Sequence, residues 1–526
     1  MNTRKLLMMC LTSVLLMLGM GGLTSAAASD KPVLIYVPID NRPITDLYTV
    51  QTMERAGYTV MVPPDELLGG NVNEGNVDGL WAWLNQAADT RNTVAAVVSS
   101  DSLIYGSLVT SRRHGLAAAV LDERLARLRS FHEHHPDIRL YAFSSIMRTP
   151  VQGSPGGKEP EYYVQWGASI FEYSALTDKQ EMKGLTAPEQ ARLAYLKQSI
   201  PQDVLTDWLG RRNKNLAVNK ALIDMSRQGV FRYFALGRDD NAPLSQTHME
   251  GRKLKEYGQD LDFTKFQNMS GIDEIGLLLL TKASNDFRFN LPFVYVEYNT
   301  GLGGHTVPAY SDEKISATIT DYVKCIGGME VTTPKRADLV LMMNTAPNGE
   351  RLYGGDPANK MTATPRSEAF AQRIEGWLNQ GKNTGIADIA YSNGADNSLC
   401  RVLRDHKLLY RLGSYAGWNT ATNSLGYALP QGTMAVDMPK ENKDYLLTIR
   451  YLDEWAYQSN IRQELGQYAA AFGADALKTN LADIEKKGTE LQQKFARENL
   501  AEYPRAARFT MVLPWQRFFE DKVITE

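Results

Sequence analysis

Cysteine is scarce in this chain: three residues in 526, at positions 10, 325 and 400. A disulfide-stapled scaffold needs a far denser framework, so none is expected. Whether Cys325 and Cys400 form one pair or stay as two small buried hydrophobes is left open by the sequence. No block of lysines and arginines occurs, and the formal net charge is −3. Neither nucleic acid nor an anionic membrane surface is therefore an expected partner. Beyond the N-terminus no apolar run reaches 18 residues. The densest, over residues 275–280, has core-helix length, which excludes a multi-span membrane protein. Glycine (41) and proline (22) are at ordinary levels, excluding a collagen-like or low-complexity chain.

Several motifs are also missing. No G-x-S-x-G surrounds Ser102, which argues against a serine hydrolase. There is no phosphate-binding Walker loop, no G-x-G-x-x-G after a strand and no H-E-x-x-H among the seven histidines. No cofactor and no metal site are expected, although calcium held by carboxylates stays open. His132, His134 and His135 end a charged helix, while His248 and His305 are candidates to meet carboxylates.

What is present suits a large globular protein of more than one domain: 43 % apolar and 22 % charged residues over 526 positions. Arg4 and Lys5 precede an apolar run of 17 residues (6–22), and Ala26-Ala27-Ala28 supplies a small-x-small cleavage site. A cleaved signal peptide over 1–28 is expected, with a secreted or extracytoplasmic mature chain and no stable membrane insertion after cleavage. Removing that segment takes away two cations and no acid, leaving 55 basic against 60 acidic residues.

From Pro32 onward, short apolar runs alternate with helical stretches. Strands are predicted over 33–38, 59–62, 94–99, 138–143, 231–236, 293–297, 339–343 and 384–390. Helices are predicted over 44–56, 77–88, 117–132 and 366–379. Continuous apolar runs alternating with helices imply parallel strands buried on both faces. The expected architecture is α/β. A β/α-barrel-like domain over 29–310 is favoured, with a helical insert near 161–228; a doubly wound parallel sheet is the alternative. A smaller open α/β unit (311–435) and a mostly helical C-terminal region (436–526) follow. No internal repeat is visible.

Polar residues cluster where these strands end, the edge at which parallel α/β folds place their sites. Asp239 and Asp240, in Gly237-Arg238-Asp239-Asp240-Asn241, are the first candidates for acid/base work, because two carboxyls in one site can divide into proton donor and ionised partner. Arg238 is expected to neutralise one of them, leaving Asp240 to face the cleft. The adjacent pair is similar to that of substrate-assisted hexosaminidases with barrel folds. That likeness implies one Asp orienting an acetamido group and the other serving as acid/base. Asp101 is a further catalytic candidate at the third strand end. Asp40, Asn41 and Arg42 could hydrogen-bond a polyhydroxylated or carboxylated ligand, or form a turn held by an Asp–Arg pair. Arg148 could clamp an anion, and Glu297 is another carboxylate at a strand end. Asp273 and Glu274 sit before an apolar helix, where acids complement the helix dipole. In the later unit Trp418 offers an apolar face, and Asn419 and Asn423 offer amides, the combination a sugar ring requires.

Five stretches carry a resemblance in common: YVPIDNRP (36–43), SSDSLIYGSLVTSR (99–112), GRDDNAP (237–243), GIDEIGLLLL (271–280) and AGWNTATNSLG (416–426). Together they resemble an uncharacterised bacterial family, usually exported and classed as a domain of unknown function. The resemblance spans nearly the whole mature chain and implies no reaction, ligand or catalytic residue. From the residues themselves, the expectation is an exported hydrolase acting on carbohydrate or cell-wall glycan in an interdomain cleft. A non-catalytic extracytoplasmic protein binding a small molecule or glycan is the alternative. The sequence leaves the oligomeric state open.

Overall fold

The computed structural model describes residues 31–151 and 157–525. The expected signal peptide lies outside the described residues. Two open parallel sheets and a C-terminal two-stranded hairpin organise the chain. The first sheet contains β1 (Val33–Val37), β2 (Thr59–Met61), β3 (Thr93–Ser99), β4 (Arg139–Ile146), β5 (Tyr233–Arg238) and β6 (Phe266–Ser270), in spatial order β2-β1-β3-β4-β5-β6. All its neighbours are parallel.

Alternation along the pleat explains why each strand reads as a continuous apolar run. Leu34 and Tyr36 of β1, Ala95 and Val97 of β3, and Tyr233 and Ala235 of β5 enter one core. Their neighbours Ile35, Val37, Ala96, Val98, Phe234 and Leu236 enter another on the opposite face. A sheet buried on both faces by helices is the doubly wound arrangement. The favoured barrel does not form, because β2 and β6 are free edges and the sheet never closes.

The second sheet takes β7 (Phe293–Tyr298), β8 (Met329–Glu330), β9 (Leu339–Thr345), β10 (Thr384–Ile389) and β11 (Ser414–Ala416), in order β11-β10-β9-β7-β8. Numbered from its own first strand, that order is 2-1-3-4-5, which β1 to β5 also follow. The strand predicted over 293–297 was expected in the first unit; it pairs with β8 and β9 in the second. The boundary is hidden because helix Ile275–Arg288 packs on β3 and β4 while touching helix Ala421–Met434, which lies on β10. Its leucines 277–280 are fully buried, so the two units share one continuous apolar core.

Three helices, Tyr162–Lys183, Ala187–Ser199 and Gln202–Arg227, form the insert between β4 and β5. The C-terminal region is helical from Lys440–Arg450 onward, with a π-helical stretch at Tyr451–Ile461. It ends in the antiparallel hairpin of β12 (Thr510–Val512) and β13 (Lys522–Ile524). Cys325 and Cys400 are both free and buried. Among the described residues, no helix is long and apolar enough to cross a membrane.

Candidate functional site at the edge of the first sheet

The carboxyl ends of β1, β3, β4, β5 and β6 converge on one small cavity of about 80 Å3. Its wall includes Asp40, Arg42, Arg112, Arg148, Asp239 and Asp240, with Asp273 after β6. Asn419 reaches it from the second unit, Lys158 from the segment after β4, and Trp515 and Phe519 from the hairpin loop. Strand-end residues scattered over 200 positions thus meet because parallel strands all deliver their C-terminal ends to one edge.

Asp40 and Arg42 satisfy one another. Arg42 Nε donates to both Asp40 oxygens at 3.0 and 2.9 Å, and Thr45 Oγ1 adds a 2.6 Å bond. Arg42 also grips Asp273 bidentately, Nη1 to Oδ2 at 3.0 Å and Nη2 to Oδ1 at 2.6 Å. Burial would raise the Asp40 carboxyl, but the charge and hydrogen bonds of Arg42, helped by Thr45, outweigh it and hold Asp40 below the usual carboxylate range. This triad fastens the β1 loop to the β6 loop, so the Asp–Arg turn is the arrangement adopted. Asn41 is also engaged, its Oδ1 accepting from Trp515 Nε1 at 2.7 Å.

The acidic pair divides differently from expectation. Arg238 turns away from both acids to Asn268, Asp312 and Glu313. Arg112 takes its place, with Nη2 at 2.5 Å from Asp239 Oδ2, and Arg148 Nη1 lies 2.8 Å from Asp240 Oδ2. Asp239 is nearly inaccessible, whereas the Asp240 side chain keeps 27 % of its exposure. Burial pushes the Asp239 carboxyl up to about 6; Arg112 opposes this and the neighbouring Asp240 reinforces it. Behind them Glu159 accepts from Arg148 Nε at 2.7 Å, leaving its own Oε2 unpartnered among the described residues.

Lys158 stands apart from these pairs. Among the described residues its Nζ has no hydrogen-bonding or ion-pair partner, and it lies 5.6 Å from the centre of the Phe519 ring. Burial, then the charges of Arg517, Arg148 and Arg42, bring its amine down to about 7, with Glu520 opposing. Backbone strain marks the same place: Asp240, Asn419 and Trp515 have φ of 32°, 63° and 58°. A tryptophan in the left-handed region is unusual and persists only where surrounding structure enforces it.

Other predicted site residues lie elsewhere. Asp101 is fully buried beneath the pocket, accepting Ser145 N at 2.8 Å and Ser145 Oγ at 2.6 Å, so it clasps β3 to β4 and does not line the cavity. Glu297 is tied to Arg373 at 2.6 Å and Trp377 Nε1 at 2.9 Å in the second unit. Trp418 is only 3 % exposed and packs on Phe519, ring centres 5.6 Å apart. Asn423 is buried at a helix start, bonded to Thr420 Oγ1. Asn419 alone of that loop faces the pocket, with Nδ2 at 3.4 Å from Asp273. His248 meets a carboxylate, Asp178 at 2.6 Å, but where helix Gln246–Tyr257 packs on the insert helix Tyr162–Lys183, off the pocket wall.

Sequence reasoning missed Lys158, Trp515 and Phe519 as site residues, and assigned Asp273 to a helix dipole. The available signal was the run Trp515-Gln516-Arg517-Phe518-Phe519, aromatic and basic but without helical or strand periodicity. Trp515 and Asn41 also border a larger groove of about 810 Å3, whose wall includes Asn71, Asn73, Gln516 and Phe518. Among the described residues, no group of three or more His, Cys, Asp or Glu is placed to hold a metal ion.

Fold and site together define a protein of two doubly wound α/β units, with an acidic pair and its arginines at the carboxyl edge of the first. The chain belongs to the family described as Protein of unknown function (DUF4127), whose model matches residues 34–523. Comparison with curated proteins finds no match.

Proposed function

We propose that this protein is an exported hydrolase acting on carbohydrate or cell-wall glycan. The observation that carries the reading is one pocket holding two carboxyls in unlike environments. Asp239 is buried, with its proton retained up to about pH 6. Asp240 is more open and ion-paired through one oxygen to Arg148. In this reading Asp239 gives its proton to the glycosidic oxygen, and Asp240 supports the cationic transition state or the incoming water. This reverses the expected roles within the pair. The hexosaminidase likeness no longer supports it, because the pair stands on an open sheet and not in a barrel.

The adjoining groove supports a glycan over a compact metabolite. A pyranose has apolar C–H faces and hydroxyl edges, and Trp515 and Phe518 beside Asn41, Asn71, Asn73 and Gln516 offer both kinds of contact. Export rests on the basic start, apolar run and Ala26-Ala27-Ala28 of the sequence. One observation favours the second reading, a binding protein without turnover: both carboxylates already have arginine partners. Screening the mature chain against labelled glycans and peptidoglycan fragments, for turnover and for thermal shift, tests both. Turnover is expected; a shift without turnover would favour the binder.

A further inference from the structure

Four carboxyls and four cations line the pocket, and among the described residues one of those cations pairs with none of the acids. Asp40 and Asp273 share Arg42, Asp239 holds Arg112, and Asp240 and Glu159 share Arg148. Lys158 is left over, on the pocket wall with Nζ above the Phe519 ring. The positive groups that act on it are Arg42, Arg148 and Arg517, and Arg517 is ion-paired to Glu520 beyond it. An ammonium facing a cavity, with guanidinium groups as neighbours and no acid of its own, is a site for an anion carried in by the ligand.

We propose that Lys158, backed by Arg148, recognises a carboxylate on the ligand, so that the glycan is an acidic one bearing uronic acid or a comparable carboxylated sugar. The proposal rests on the glycan reading for the remainder of the ligand and deepens it. The small cavity suits a single acidic group beside Asp240, and the groove past Trp515 suits the sugar chain. With its amine near 7 in the free protein, Lys158 is charged on the acid side of neutrality and must take up a proton to pair with the anion on the alkaline side. Binding therefore weakens as pH rises through neutrality. Ionisation of Asp239 over a lower range acts in the same direction by adding repulsion. Asp40, Asp273 and Asp240, also on the wall, stay with their arginines.

The test is a calorimetric titration of the mature chain with glucuronate, glucose and inorganic phosphate at matched ionic strength, near pH 6 and pH 8.5. The wild type should prefer glucuronate to glucose by about tenfold near pH 6, and that preference should fall at least about fivefold by pH 8.5. Lys158→Met should abolish the preference at both pH values. Lys158→Arg should retain it with most of the pH dependence removed, an outcome that a merely structural lysine would not give. Equal binding of glucuronate and glucose, undiminished preference in Lys158→Met, or no anion binding at all would overturn the proposal. Lysine-dependent binding of phosphate alone would overturn the carboxylated sugar and the glycan reading together. Glycan turnover without any anion preference would overturn only this inference.

Discussion

The two parallel sheets share one strand order, yet their carboxyl edges have opposite characters. At the first edge Asp239, Asp240 and Lys158 face a cavity of about 80 Å3. At the second, a cavity of only about 20 Å3 borders Ala346, Ile389 and Ala390, and the acids are consumed by the fold. Asp388 accepts Asn344 Nδ2 at 2.9 Å, Tyr415 OH at 2.8 Å and Asp396 N at 2.7 Å. Asp396 in turn caps helix Asn397–Asp405 through Ser398 N and Leu399 N. Topology brings polar residues to both edges. Whether they form a site depends on how many hydrogen bonds the surrounding backbone leaves unclaimed.

The contrast can be broken most severely at Arg42. Arg42→Met leaves Asp40 and Asp273 buried without their cation and should cost about 3–5 kcal/mol of stability. Arg366→Met at the second edge removes a half-buried side chain whose partners are mainly the Thr300 and Thr345 carbonyls, and should cost about 1–2 kcal/mol. Urea denaturation of both variants checks the difference, and equal losses would blur the distinction between the edges.

Two tryptophans sharpen it next. Trp418→Ala empties a buried site and should cost about 3–5 kcal/mol. Trp515→Ala, at a half-buried and strained position, should cost less than about 1 kcal/mol while weakening glycan binding by about tenfold or more. Thermal melts alongside glycan titration separate the effects; a stable Trp418→Ala with weakened binding would return that residue to the site.

A smaller effect comes from acids buried between and behind the units. Burial pushes Glu274 and Glu454 up to about 8 and Asp388 up to about 7, against opposing hydrogen bonds and the Arg450 charge beside Glu454. Each retains its proton in the folded chain at a pH where the unfolded chain has lost it. Their contribution is complete below the unfolded carboxyl range and is lost as pH rises toward 7–8. The melting temperature should therefore fall between pH 5 and 8.5. Glu274→Gln should recover about 1–3 kcal/mol at the alkaline end, as melts of both proteins over that range would show. A flat profile would mean that these acids are ionised when folded.

Much of this was legible beforehand, for identifiable reasons. β1, β3, β4 and β5 each carry an unbroken apolar run (33–37, 94–98, 140–143 and 233–236) because both faces are buried, and such runs read as strands without help from context. Asp40, Arg42, Arg148, Asp239, Asp240 and Asn419 were placed at strand or loop ends and do meet at one cavity. β6 was not legible, since Phe-Gln-Asn-Met-Ser looks like a loop until Gln267 and Asn268 find Tyr233 and Arg238. Arg238 and Trp418 were misjudged because a side chain at a junction follows its tertiary partners, which lie 30 to 75 residues away for Arg238 and 101 for Trp418 against Phe519. The closing aromatics arrive from a hairpin at the far end of the chain, which no local pattern connects to β1.

The central claim is that the first edge works on a glycan and the second edge only holds the fold together. Its most direct test is the rate of glycan cleavage by Asp239→Asn and Asp388→Asn in one assay, with melting temperatures recorded for both. Asp239→Asn should lose about 10²–10⁴ in rate with its fold intact, as removal of a general acid does, while Asp388→Asn should stay within about threefold of wild type and melt at a different temperature. Equal activity in the two variants, or no cleavage of any glycan by the wild type, would contradict the account.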